Sequence, residues 1–249
     1  MTPSVHILAT CTNPDLIRAT TLVFDTLRVG FPTTKVTVWL NRMQPEHAKL
    51  ILPLADKVGS EVLPCDTAHP KWIAELIERE KEPFFICDTD VVFWKSFEQW
   101  DFSGNAMAGR YVPQFFDVWT KAVTRPRLHT SLLFLDPGLI LKDLEKNRSL
   151  HPNNAFAPWP PMIYPLMIPW WPKTYFHDVC CLLYQTIGGH RFTTSALDCY
   201  DHLQAGTISD EIGKAYPGLS AEHAIFLDNP KLMRGLWRAH DNFYAAHAV

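Results

Sequence analysis

The feature that most constrains this chain is an alternation, through its first third, of short apolar runs with stretches whose apolar residues recur at helical spacing. Val5-His6-Ile7-Leu8-Ala9-Thr10 is an apolar run closed by the polar turn Thr10-Cys11-Thr12-Asn13-Pro14-Asp15. Leu16-Ile17, Leu22-Val23 and Leu27 come next at helical intervals until Gly30-Phe31-Pro32 stops the helix. Lys35 to Leu40 reads as a second strand, Glu46 to Leu54 as a helix, and Gly59 to Pro64 as a short strand. Trp72-Ile73 and Leu76-Ile77 form the apolar face of the next helix, which Pro83 closes. Pro83-Phe84-Phe85-Ile86-Cys87 is then apolar throughout, the pattern of a strand buried on both faces. Parallel strands cannot be joined by a hairpin and need a crossover, so these βα units predict an α/β fold with a mostly parallel sheet covered by helices.

The second half is less regular. Leu132 to Leu135 reads as a buried strand ended by Asp136-Pro137-Gly138, Asp178 to Gly188 as a helix, and Lys231 to Ala246 as a last helix. Between them, 155–172 carries Pro158, Pro160, Pro161, Pro165, Pro169 and Pro172 among Trp159, Trp170 and Trp171, which predicts an ordered loop and excludes a continuous membrane helix. No linker, repeat or low-complexity tract divides the chain, so a single domain is expected over 1–249. With 23 Lys+Arg against 26 Asp+Glu, a net charge of −3, the chain is not one whose whole surface grips nucleic acid. The start, Met1 to His6, lacks the pattern of a signal peptide, and the six cysteines show no CxxC spacing. Reduced thiols and a cytoplasmic location are the expectation.

The chemistry concentrates at Asp88-Thr89-Asp90, directly after the apolar strand. Ligands of open α/β sheets bind beyond the carboxyl ends of strands. Two carboxylates one residue apart repel one another and lose hydration there unless a cation sits between them. Hard oxygen ligands suit Mg²⁺ or Mn²⁺, which commonly share such sites with phosphates. The plain alternative is a pair of turn-forming aspartates that cap the strand end.

The block Phe84-Phe85-Ile86-Cys87-Asp88-Thr89-Asp90-Val91-Val92-Phe93-Trp94 resembles the DxD motif of GT-A-fold, nucleotide-sugar-dependent glycosyltransferases, in which the motif holds the metal that grips the diphosphate. Element order and spacing extend the resemblance over about 5–205, including an extended strand over Leu128 to Asp136. It implies a Rossmann-type sheet with a nucleotide-binding half over about 1–100 and an acceptor-side half over about 101–249. It also implies a metal-dependent transferase of the hexosyltransferase type, with Mn²⁺ or Mg²⁺ and a UDP-sugar as the favoured donor.

The same resemblance assigns roles. Ala9, Thr10, Cys11 and Thr12, at the end of the first strand, would receive the nucleotide, together with Thr89. Lys71, on the helix before the DxD strand, and His69 beside it would face the nucleotide side. Asp178, in Tyr175-Phe176-His177-Asp178-Val179, stands where the pattern supplies an acid that serves the acceptor hydroxyl or the developing sugar cation; its alternative is an ordinary helix N-cap. A third metal ligand is expected near the end of the fold, and His202 fills that place, with Asp228 and His240 as rivals. The Lys-Pro-Trp ending of one branch is absent. Arg127 and His129 would contact the donor sugar or its phosphates; otherwise Lys121, Arg125 and Arg127 form a solvated basic turn. Trp170 and Trp171, with Trp159 and Tyr164, would make an acceptor wall, because sugars stack on aromatic faces, or they simply pack a proline-stiffened loop.

Two other classes compete. A haloacid-dehalogenase-like phosphatase also places Asp-x-Asp after an apolar strand, but normally the chain's first strand, and with a Thr or Ser two positions after the second Asp, where this sequence has Val92. A non-catalytic sugar-binding module would have little need of a costly acidic pair. The acceptor (glycan, small molecule, protein or modified nucleic-acid base) is left open by the sequence.

Overall fold

The computed structural model describes residues 3–10, 21–117, 122–147, 175–176, 178–203, 229–238 and 242. Strand β1 (Ser4–Thr10), helix α1 (Leu22–Gly30), β2 (Val36–Asn41), α2 (Pro45–Lys57), β3 (Glu61–Cys65), α3 (His69–Arg79) and β4 (Phe84–Cys87) alternate as the apolar pattern requires. After them come β5 (Val91–Phe93), β6 (Met107–Val112), β7 (Phe115–Asp117), β8 (Ala122–Thr124), β9 (Arg127–Leu135) and α4 (Pro137–Asn147). The last elements are β10 (Tyr175–Phe176), α5 (Cys181–Ile187), β11 (His190–Arg191), α6 (Thr194–Leu197), β12 (Tyr200–His202) and a 3-10 turn at Pro230–Met233.

Seven strands form one mixed, mostly parallel sheet in the order β11-β6-β9-β4-β1-β2-β3, so β4 stands fourth of seven. All four of its residues are buried, which is why its sequence shows no alternation. A second sheet pairs β10, β8 and β7, and a third pairs β12 with β5. The chain divides into two compact units that interleave along the sequence.

The first unit comprises Met1–Thr67, Ile86–Asp101 and Thr193–Trp237. Its parallel strands run in register from Val5↔Val36 to Thr10↔Asn41 and from Thr37↔Glu61 to Asn41↔Cys65. Helix α1 buries Leu22, Val23, Phe24 and Leu27, and it ends where the chain must pass an aromatic ring. A Cβ on Gly30 would run into the Phe93 ring, so only glycine lets the backbone come this close. Phe31 meets Phe93 edge-on at 5.3 Å, and Phe97 meets Tyr200 edge-on at 5.8 Å, giving β5 and β12 a shared aromatic base. Glu98 fastens the loop after α1 by accepting from Thr33 N (2.8 Å), Thr33 Oγ1 (2.9 Å), Thr34 N (2.8 Å) and Thr34 Oγ1 (2.7 Å).

The second unit comprises Ala68–Phe85, Phe102–Phe192 and Arg238–Val249. Helix α3 buries Trp72, Ile73, Ala74, Leu76 and Ile77, the face read from the sequence. Strands β6 and β9 pair antiparallel with a bulge between Gly109 and Tyr111. Helix α4 is a finding the sequence did not announce. Asp136-Pro137-Gly138 ends β9 as expected, yet it also starts a helix, because Asp136 Oδ1 accepts from Leu139 N at 3.0 Å and Pro137 fits the first helical position.

Two boundaries differ from expectation. The helix expected from Asp178 begins at Cys181, behind Cys180 in the left-handed region (φ 62°). The expected start of the last helix is a 3-10 turn, and most of the chain after it lies outside the described residues. The five described cysteines are free, four of them buried. No helix among the described residues is long and apolar enough to cross a membrane.

Candidate functional site

The chain leaves β4 at Cys87, turns through Asp88-Thr89-Asp90 and enters β5. Two backbone hydrogen bonds pin that turn: Val23 N donates to the Thr89 carbonyl at 2.8 Å, and Leu203 N donates to the Asp90 carbonyl at 3.0 Å. The second arises from the antiparallel register of β12 on β5, in which His202 stands opposite Val91. That register sets His202 beside the acidic turn. His202 Nε2 lies 3.0 Å from Asp90 Oδ1 and 3.7 Å from Asp88 Oδ2. Asp90 and His202 are buried at 3% and 5% exposure, while Asp88 is half-buried.

One ligand atom from each of these three side chains lies within 4.8 Å of the others, the one such group among the described residues. An ion with bonds of about 2.1 Å holds its ligands roughly 3.0 Å apart at right angles and roughly 4.2 Å apart when opposed. The two separations from His202 Nε2, 3.0 and 3.7 Å, fall in that interval. Two hard carboxylates and an imidazole also suit a divalent ion, the nitrogen favouring Mn²⁺ over Mg²⁺. The residues therefore fit such a cation. The negative field of the turn shows at Cys87, whose thiol is pushed well above its ordinary range by burial first and then by the charges of Asp88 and Asp90.

The other residues singled out by the sequence fall into separate places. Ala9 and Thr10 end β1; Ala9 is buried, and Thr10 Oγ1 accepts from Asn41 Nδ2 at 3.4 Å. Thr89 is buried within the acidic turn. Cys11, Thr12, Lys121, Trp159, Tyr164, Trp170, Trp171, Asp228 and His240 lie outside the described residues.

Within the second unit, Arg127 Nη2 and Asp178 Oδ2 form an ion pair at 2.7 Å, with the arginine side chain 8% and the aspartate 35% exposed. From the sequence these residues have unconnected roles, and the structure joins them. Asp178 is not the helix cap, since Cys180 takes that position; its Oδ1 instead accepts from Val179 N at 2.8 Å. His69 opens α3, and burial pushes its imidazole down to about 4 against the opposing pull of Asp178, so it is neutral near pH 7. Lys71 is exposed and pairs with Glu75 at 3.7 Å. His129 Nδ1 accepts from Ser131 N at 3.0 Å.

The sequence gives no sign of a contact between Asp201 and Trp94, which lies within the described residues beside the acidic turn and His202. Asp201 is 1% exposed and its Oδ2 accepts from Trp94 Nε1 at 2.7 Å. Both stand inside segments the sequence flagged, but a contact between strands so far apart in the chain leaves no local pattern.

No protein-family model matches the chain, and no curated protein sequence matches it. Among solved structures the chain is similar to the apo form of the bifunctional glycosyltransferase WbbM, at 9% identity over 58% of this chain and 33% of that one, TM-score 0.41. It is similar to the galactosyltransferase LgtC in complex with donor and acceptor sugar analogues, at 10% identity over 77% of this chain and 73% of that one, TM-score 0.44. It is also similar to a nucleoside-diphosphate-sugar pyrophosphorylase from Vibrio cholerae RC9, at 9% identity over 87% of this chain and 99% of that one, TM-score 0.43. The chain thus spans a third of the WbbM chain it matches.

Proposed function

We propose that the chain is a metal-dependent glycosyltransferase of the GT-A type, moving a sugar from a nucleotide-diphosphate sugar, with UDP-sugar favoured, to a hydroxyl acceptor. The observation that carries this reading is the convergence of Asp88, Asp90 and His202 directly after β4, the fourth of seven strands. A Mn²⁺ or Mg²⁺ ion held there supplies charge neutralisation to a diphosphate leaving group. The protein's part is to hold the reactants and shape the field around them.

In this reading the whole chain is one catalytic domain, with its nucleotide side over about 1–100. Thr89 and the β1 end, Ala9 to Thr12, receive the nucleotide. Lys71 supplies charge to the phosphates, and His69, being neutral, supplies a hydrogen bond instead. Arg127 and His129 serve the donor sugar, and Trp170 and Trp171 the acceptor. Asp178 is the catalytic carboxylate; its ion pair with Arg127 fixes its direction, which suits a positioning or charge-stabilising role.

The test is a donor panel. UDP-, GDP-, CMP- and dTDP-sugars are incubated with the protein and Mn²⁺, and released nucleotide is read alongside the Asp88→Ala/Asp90→Ala double variant. Slow release from one donor class, lost on chelation and in the variant, supports a transferase and names the nucleotide. No release, with hydrolysis of a generic phosphomonoester that depends on Asp88, would replace it with the phosphatase.

A further inference from the structure

We infer that Asp201 is a positioning residue for the metal group, acting through His202 by clasping the chain around 235–237 to the strand that carries that ligand. The inference rests on the metal-centre reading above. Strand β12 is three residues long and, among the described residues, pairs with β5 alone. A strand so short, with one partner, has little of its own to hold a ligand to within a few tenths of an ångström.

The missing restraint comes from the side chain between Tyr200 and His202. Successive side chains of a strand leave opposite faces. Tyr200 packs on Phe93 and Phe97, His202 reaches the acidic turn, and Asp201 is turned toward a different set of groups. Its Oδ2 accepts from Trp94 Nε1 and from Gly235 N, each at 2.7 Å, and its Oδ1 accepts from Trp237 N at 3.2 Å. Gly235 takes φ 85°, a conformation that glycine adopts without strain. Just before it, Met233 packs with Leu22, Val92 and Leu203, so apolar contact seats the same segment that the carboxylate binds.

One carboxylate therefore gathers the residue after β5, the middle of β12 and a segment more than thirty positions later in sequence. A fully buried carboxylate is costly unless its hydrogen bonds are met, and here both oxygens are engaged by donors. Asparagine has the same shape but cannot replace it. Whichever way its amide is turned, the NH₂ faces a donor, either Trp237 N or the pair formed by Trp94 Nε1 and Gly235 N. Asp201→Asn should thus loosen the clasp while leaving Asp88, Asp90 and His202 chemically intact.

The experiment is Mn²⁺ titration, read as free Mn²⁺ by electron paramagnetic resonance, on the full chain and on Asp201→Asn, Trp94→Phe, His202→Ala and Asp201→Asn/His202→Ala. Loss of an outer partner of a metal ligand typically weakens the metal about 10–100-fold. We expect Asp201→Asn to weaken Mn²⁺ by about tenfold, and Trp94→Phe, which removes one donor, by less. In the His202→Ala background Asp201→Asn should add almost nothing, because its effect passes through the imidazole. Parent-like Mn²⁺ affinity in Asp201→Asn overturns the inference, as does a loss of equal size with and without His202. If Asp201→Asn does not fold, Trp94→Phe and Trp94→Phe/His202→Ala decide by the same comparison. A parent protein that binds no Mn²⁺ overturns the metal centre itself, and so is distinguishable from failure of the clasp alone.

Discussion

The acidic turn should make the protein trade stability without metal for stability with it, and a single substitution should reverse the sign. Asp88 and Asp90 offer ligand atoms within 4.8 Å of each other. Two full charges at that separation repel by about 3.5 kcal/mol at an effective dielectric constant of about 20. The partial exposure of Asp88 and the nearby imidazole of His202 reduce this, so Asp88→Asn should stabilise the metal-free protein by about 1 kcal/mol. For a chain of this size that is about 2–4 °C in melting temperature. With Mn²⁺ at one hundred times its Kd the parent gains about 2.7 kcal/mol, or roughly 5–10 °C. If losing an anionic ligand weakens Mn²⁺ about a hundredfold, the same concentration gives the variant only about 0.4 kcal/mol. The melting curves should therefore cross: the variant melts higher in EDTA and lower in Mn²⁺. The assay is differential scanning fluorimetry of both proteins in both conditions. A variant less stable in EDTA, with an undiminished Mn²⁺ shift, would instead mark the two aspartates as caps of the strand end.

Other expectations rest on particular contacts. Burial alone would raise the Glu98 carboxyl, but its hydrogen bonds from Thr34 and Thr33 outweigh that and hold it below its ordinary value. Its contribution is thus present above the unfolded value near pH 4.5 and lost as pH falls through the lower folded value. Glu98→Gln should cost about 1–2 kcal/mol at pH 7 in urea unfolding, and that difference should shrink in acid. His69 is held near 4 instead of 6.5, so the folded state resists its protonation. Stability tied to it is complete above pH 6.5 and falls by up to about 3 kcal/mol towards pH 4; His69→Gln should flatten that limb of the pH–stability curve. Gly30→Ala drives a methyl group into the Phe93 ring and should lower stability by about 1–3 kcal/mol, measured by thermal melting, with relief in Gly30→Ala/Phe93→Leu.

Much of the sheet was legible because its strands obey a local rule. The run Phe84–Cys87 is apolar at every position, the pattern of a strand buried on both faces, and it stands fourth of seven in the sheet. Helices α1 and α3 show their buried faces at helical spacing, and proline or glycine marks where they stop. The features that stayed hidden depend on pairings that no local pattern records. Helix α4 was concealed because Pro137-Gly138 reads as a stop, although Asp136 and Pro137 are also good starting residues. The left-handed Cys180 moved the start of α5 past Asp178, since nothing in a cysteine announces that conformation.

The candidate site divides in the same way. Asp88 and Asp90 were visible by type and spacing. His202 was one of three possible partners, and the register of β12 on β5 sets it beside Asp90. The ion pair between Arg127 and Asp178 could not be read at all, because each residue had a sufficient reason of its own to be where it is. Asp201 stood next to a flagged histidine, yet its partners at 235–237 lie in a segment whose sequence suggested only a helix.

On the proposed reading, Asp88, Asp90 and His202 hold a cation which in turn binds a nucleoside diphosphate. The most direct measurement is calorimetric titration of UDP, and of GDP, CDP and dTDP beside it, into the protein in Mn²⁺ and in EDTA. One nucleotide should then bind at least tenfold more tightly in Mn²⁺, about 1.4 kcal/mol or more. His202→Ala should lose most of that gain while retaining the weak metal-free binding. Equal affinity with and without Mn²⁺, or a gain that survives loss of both aspartates, would contradict that reading.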